Sequence, residues 1–139
     1  MTKTLISHVG IAVRDLEKAK KIYSLLTGEK SPVVEEIQSE KVRVAIFASG
    51  RTGEGKIELV AATADDSPIA KFISKRGEGL HHICLYVDDI KAKLAELKKA
   101  GVKMLDETHR TGAEGKKIAF VHPANFNGVL IELEERKSD

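Results

Sequence analysis

The chain repeats itself at a fixed distance, and that repeat limits what it can fold into. His8-Val9-Gly10-Ile11-Ala12-Val13 leads into Asp15-Leu16 and a helical run; His82-Ile83-Cys84-Leu85-Tyr86-Val87 leads into Asp88-Asp89 and another. The step in numbering from His8 to His82 equals the step from Glu58 to Glu132, which carries Lys56-Ile57-Glu58-Leu59-Val60 onto Leu130-Ile131-Glu132-Leu133-Glu134. Two histidines and two glutamates thus recur at matched places of an internal duplication. Long-period repeats commonly build solenoids, but two copies are too few to stack. They can pair side by side into one sheet.

Alternation along a strand sends successive side chains to opposite faces. His82, Cys84 and Tyr86 therefore share one face, and Ile83, Leu85 and Val87 the other. Glu58 stands between Ile57 and Leu59, and Glu132 between Ile131 and Leu133. Helices packed on the apolar faces would leave both carboxylates on the side of His8 and His82.

Each half reads β-α-β-β-β. In the first, a strand over 5–13 precedes a helix capped by Asp15, with Leu16, Ala19, Ile22, Tyr23 and Leu26 at helical spacing up to Gly28. Strands follow at 31–37, an edge because of Pro32, and at 42–47 and 56–61, with a hairpin loop over 49–55. Ser67-Pro68 starts a connecting helix at about 67–77. In the second half a helix from Asp89 turns Ile90, Leu94 and Leu97 inward, and strands are expected around 103–108, 117–121 and 128–134. Modules at about 5–62 and 79–134 make one α+β domain over 1–139.

A chain of 139 residues at 42% hydrophobic buries a real core. A net charge of +2, no Trp and 4% aromatic residues point away from nucleic acid. Cys84 is the single cysteine, which excludes an intrachain disulfide and suits a reducing cytoplasm. No run approaches the ~20 apolar residues of a membrane span, and the first residues lack the apolar stretch of a signal peptide. The expectation is a cytoplasmic protein with no membrane partner.

Two imidazoles and two carboxylates form a nitrogen and oxygen ligand set suited to Co, Ni, Mn, Fe or Zn, with positions left for water or substrate. Open positions are what Lewis-acid catalysis requires. A hydrophobic pair would serve a merely structural role without desolvating charges. His81 falls on the apolar register, with Ser7 at its matched place, and reads as structural. His122 precedes Pro123 in a turn, and His109 lies in a polar surface stretch. Cys84 has no basic neighbour in sequence to activate it. The loop Gly112-Ala113-Glu114-Gly115, followed by Lys116 and Lys117, is either a hairpin turn or a cradle for an anion.

Taken together, His8-Val9-Gly10-Ile11-Ala12-Val13, Lys56-Ile57-Glu58-Leu59, Asp66-Ser67-Pro68-Ile69-Ala70-Lys71-Phe72, Gly79-Leu80-His81-His82-Ile83-Cys84, His122-Pro123 and Gly128-Val129-Leu130-Ile131-Glu132-Leu133 carry a resemblance. The chain resembles the vicinal oxygen chelate (glyoxalase-like) superfamily and, within it, the methylmalonyl-CoA epimerases. The resemblance implies paired βαβββ modules forming a cupped mixed sheet around a divalent metal, cobalt first among the candidates, and a homodimer. It implies His8, His82 and Glu132 as metal ligands, with Glu58 at a place where some epimerases have Gln. It implies epimerisation of an acyl-CoA by α-proton abstraction through a metal-stabilised enolate, with Glu132 leading and Glu58 second as proton-carrying groups. Ser67, Lys71, Lys75, Arg76, Lys116, Lys117 and His122 are the candidate substrate contacts. Some members carry a glutamate on the strand matching 42–47 as an acid/base; here that strand holds Arg43 and no acid, with Glu40 just before it. The competing readings are glyoxalase I (lactoylglutathione lyase) and a non-catalytic metal or small-molecule binding module.

Overall fold

The computed structural model describes residues 4–47 and 53–136, so 48–52, which overlap the expected hairpin loop, lie outside the described residues. Contacts divide the chain into two compact units: residues 8–81, and residues from 82 onward together with those before 8. The class is α+β, and each unit carries one βαβββ module.

The first unit takes strand β1 (Ile6–Ala12) from His8 onward, helix α1 (Leu16–Thr27), β2 (Val33–Ile37), β3 (Val42–Phe47), β4 (Lys56–Ala62) and helix α2 (Pro68–Arg76). Its strands run in the order β2-β3-β4-β1. β1 is parallel to β4, and the other two pairings are antiparallel. Ile11, Leu59 and Ala45 fall opposite one another on one face. There α1 closes a core of Val13, Leu16, Ala45, Phe47, Leu59 and Ala61. Full burial of Leu59 alone is favourable by about 1.5–3 kcal/mol.

Helix α1 begins where the Asp15 carboxylate accepts the Lys18 N–H at 3.0 Å, satisfying a donor the helix itself cannot. It ends at Gly28, whose φ of 80° would strain a residue with a Cβ. Its inward stripe is narrower than the sequence suggests. Ile22 and Leu26 are 61% and 72% exposed, and Leu25 is 84% exposed. Only Leu16 is buried; the helix turns Ile22 about 100° from Tyr23, and Leu26 falls in the last turn, off the core. Helix α2 starts at Ser67, whose hydroxyl accepts the Ile69 N–H at 3.1 Å, and buries Ile69.

The second unit takes β5 (Gly79–Val87) from His82 onward, helix α3 (Ile90–Lys99), β6 (Arg110–Thr111), β7 (Lys117–Val121) and β8 (Ile131–Glu135). The order is β5-β8-β7-β6, with β5 parallel to β8. Residues before 8 join this unit: the Leu5 carbonyl accepts the Tyr86 N–H at 2.8 Å. Two carboxylates hold the start of α3, Asp89 accepting from Ala92 N–H and Glu135 from Ile90 N–H, each at 3.0 Å. The core is Val87, Ile90, Leu94, Ala119, Val121 and Leu133. Val13 and Val87, Leu16 and Ile90, Ala45 and Ala119, Phe47 and Val121, and Leu59 and Leu133 are each separated by the same step as His8 and His82. The duplication is written in the packing as well as in the polar residues.

The expected strand over 103–108 does not form. Met104 makes a single bridge to Val121, and the outer strand is the short Arg110–Thr111. The pairing slips register between Met104–Val121 and Arg110–Ile118, and within the slip the Asp106 carboxylate accepts the Phe120 N–H at 2.8 Å. Among the described residues no helix is long and apolar enough to cross a membrane.

Candidate functional site

In the first unit the parallel pairing of β1 and β4 sets Gly10 beside Glu58 and His8 beside Lys56. His8 Nε2 lies 3.5 Å from Glu58 Oε2, the two side chains only 5% and 10% exposed. Val44, Ile46 and Val60 share this face and are buried. A carboxylate in such apolar surroundings is costly unless a partner offsets its lost hydration.

The second unit repeats the arrangement. His82 Nε2 lies 3.0 Å from Glu132 Oε1, with side-chain exposures of 5% and 8%. Phe120, opposite Glu132 on β7, presents its ring edge-on to His82 at 5.9 Å between centroids and limits how that imidazole can turn. Each expected ligand is thus buried, and each unit joins one imidazole nitrogen to one carboxylate oxygen. His8, His82 and Glu132 are donors of the kind that hold a metal ion. The nitrogen and oxygen chemistry of the two pairs fits a divalent first-row ion. Cys84 is fully buried, its Sγ 3.8 Å from Glu134 Oε1.

Sequence reading missed what surrounds Glu134. Ser7 Oγ donates to its Oε1 at 3.2 Å, and Lys116 Nζ lies 2.9 Å from its Oε2. The Lys116 ammonium and Arg136 guanidinium stand 5.5 and 5.1 Å from the centre of the Tyr86 ring, within cation–π range. Burial by itself would lower the Lys116 pKa, but the hydrogen bond and charge of Glu134, with Tyr86 and Glu114 adding, hold it above the ordinary lysine value. The available signal was the i, i+2 spacing of Glu132 and Glu134 on one strand. Gly10, Ala12 and Val60 hold the matched places of the first unit, so the halves diverge here.

The remaining candidates separate by environment. Ser67 is fully buried, its hydroxyl spent on capping α2. Lys71, Lys75 and Arg76 are exposed along α2, with the Arg76 guanidinium 5.8 Å from the Phe72 ring centre. Lys116 is engaged with Glu134 as above, and Lys117 Nζ lies 3.7 Å from Glu135. His122 Nδ1 accepts the Ala124 N–H at 3.0 Å in a 3-10 turn. His81 meets Phe72 edge-on at 4.8 Å between centroids, a packing contact. On β3, Arg43 pairs with Glu36 at 2.9 Å, and Glu40 belongs to the 3-10 turn over Gln38–Glu40.

Residues 7–120 match the Glyoxalase/Bleomycin resistance protein/Dioxygenase superfamily, and the chain belongs to it. The mitochondrial methylmalonyl-CoA epimerase of Homo sapiens is 40% identical over 94% of this chain and 73% of its own length. The ethylmalonyl-CoA/methylmalonyl-CoA epimerase of Cereibacter sphaeroides is 39% identical over 94% of this chain and 96% of its own. A solved methylmalonyl-CoA epimerase in complex with methylmalonyl-CoA and NH4+ is similar over 99% of this chain and 97% of that one, with a TM-score of 0.89 and 32% identity. Within the superfamily the chain falls in the family of methylmalonyl-CoA epimerases, isomerases that act on a CoA thioester.

Proposed function

We propose that the chain interconverts the 2R and 2S epimers of methylmalonyl-CoA, using one divalent ion held by His8, Glu58, His82 and Glu132. The observation that carries this reading is the pair of buried imidazole–carboxylate contacts, one per unit, in a chain of epimerase relatives. Cobalt is the first choice of ion, with Ni, Mn, Fe or Zn as alternatives that the same donors accept. When bound, the ion supplies a Lewis acid for negative charge developing on a carbonyl oxygen.

The rest of the chemistry falls to the chain. The C–H between a thioester and a carboxylate is acidified by both, and a carboxylate within hydrogen-bond reach can take its proton. Glu132 leads in this role and Glu58 is second. Burial leaves their carboxylates only slight contact with water, and Phe120 packs edge-on against the His82 ring beside Glu132. Lys71, Lys75 and Arg76 offer exposed cations to the phosphates of CoA. The family resemblance carries a homodimer as well, and the exposed Ile22, Leu25 and Leu26 are surface that a second copy would cover. The buried Cys84, which forms no disulfide, suits a cytoplasmic setting.

The test is turnover by purified, metal-reconstituted protein of each methylmalonyl-CoA epimer, beside the adduct of methylglyoxal with glutathione. Interconversion of the thioester with no action on the adduct is expected. Turnover of the adduct alone would move the assignment to glyoxalase I, and turnover of neither would leave a binding module.

A further inference from the structure

Inverting a carbon requires a proton taken from one side and a proton returned to the other, hence a second proton-carrying group opposite the metal-side carboxylate. We propose that Glu35 is that group; the inference rests on the epimerase reading and extends it.

The register of the first unit decides which side chains share the face of His8 and Glu58. Glu58 stands opposite Ile46 on β3, and Val60 opposite Val44. Val44 in turn stands opposite Glu35 on β2. Residues directly opposite on neighbouring strands project to the same side, so Glu35 joins that face. Its neighbour Glu36 does not. Glu36 projects to the other side, where its carboxylate meets Arg43 at 2.9 Å, and Glu40 lies in the turn beyond the strand. β3 contributes Val42, Val44 and Ile46 to this face, all buried and none able to carry a proton. Among the described strand residues of the first unit, Glu58 and Glu35 are therefore the acids on this side.

Two strand spacings across and two residues along place the Glu35 Cα about 12 Å from that of Glu58. Between the two carboxylates lies β3, whose Val44 and Ile46 form the apolar floor of this face. β2 is the edge strand and Glu35 is half-buried, so its proton can exchange with water between turnovers. In one direction a metal-side carboxylate takes the α-proton, leaving the electron pair on the enolate. Glu35, as the carboxylic acid, then gives its proton to the opposite face of the same carbon. In the other direction the roles reverse, and exchange with water resets both groups.

The experiment compares metal-loaded wild-type protein with Glu35→Gln in deuterated water, starting from each pure epimer of methylmalonyl-CoA. Inversion and deuterium at the α-carbon are followed separately, alongside metal content. Glutamine cannot carry a transferable proton, so inversion should fall by at least about 100-fold with metal content unchanged. Deuterium should still enter one epimer, with retention, through the metal-side carboxylate, and Glu35→Asp should restore part of the inversion. Inversion at the wild-type rate, or equal loss of exchange from both epimers with metal bound, overturns the proposal. Absence of exchange by the wild-type protein would instead overturn the epimerase reading, and this proposal with it.

Discussion

His82 Nε2 lies 3.0 Å from Glu132 Oε1, and His8 Nε2, at the matched place of the first unit, lies 3.5 Å from Glu58 Oε2. The same ring nitrogen faces the same type of oxygen in both units, at similar burial. The match persists although neighbours diverged, with Cys84, Tyr86 and Glu134 standing where the first unit has Gly10, Ala12 and Val60. The metal ion proposed above would draw on both contacts.

The duplicated core predicts matched losses of stability. Leu59 and Leu133 are 0% and 4% exposed and occupy corresponding places against α1 and α3. Leu59→Ala and Leu133→Ala should each cost about 2–5 kcal/mol in urea unfolding, with metal retained in the folded fraction. A cost below about 1 kcal/mol at either place would contradict the packing described.

The Lys116–Glu134 contact predicts a loss of stability in alkali. The Lys116 pKa in the folded chain is raised above the ordinary lysine value of 10.5. A raised pKa means that the protonated form is favoured by folding. The contribution is therefore complete below 10.5 and disappears as pH rises through the higher folded value. The stability difference between wild type and Lys116→Met should be flat through neutral pH and shrink above 10.5. A difference that grows in alkali would contradict the assignment.

The cations of α2 predict a split between binding and chemistry. Replacing Lys71, Lys75 and Arg76 together by Gln should raise KM for the acyl-CoA severalfold and leave kcat nearly unchanged. The effect should fade at high salt, because exposed charges are screened over about 8 Å at physiological ionic strength. Equal losses of kcat and kcat/KM would place these residues elsewhere in the mechanism.

Much of this was legible in the sequence because strands and caps leave short-range marks. Asp15, Ser67 and Asp89 cap the helices expected of them, and Ile57, Leu59, Ile131 and Leu133 pack toward helices as alternation requires. The outer strand of the second unit was misplaced because its pairing with β7 slips register around Asp106, whose carboxylate takes the Phe120 N–H. The Glu134 cluster was missed because Ser7, Cys84 and Lys116 come from three separate places in the chain. Ile22 and Leu26 fit the helical period yet lie outside the buried stripe, since periodicity does not say how far a sheet extends beneath a helix.

The most direct test of the central claim is cobalt(II) stoichiometry on purified protein, read by elemental analysis with circular dichroism as the control for folding. Wild-type protein should hold one ion per chain. His8→Ala and His82→Ala should each fall close to none while remaining folded, because removing a ligand from either unit disables the same site. Two ions per chain in the wild type, or either folded variant retaining a full ion, would contradict a shared metal.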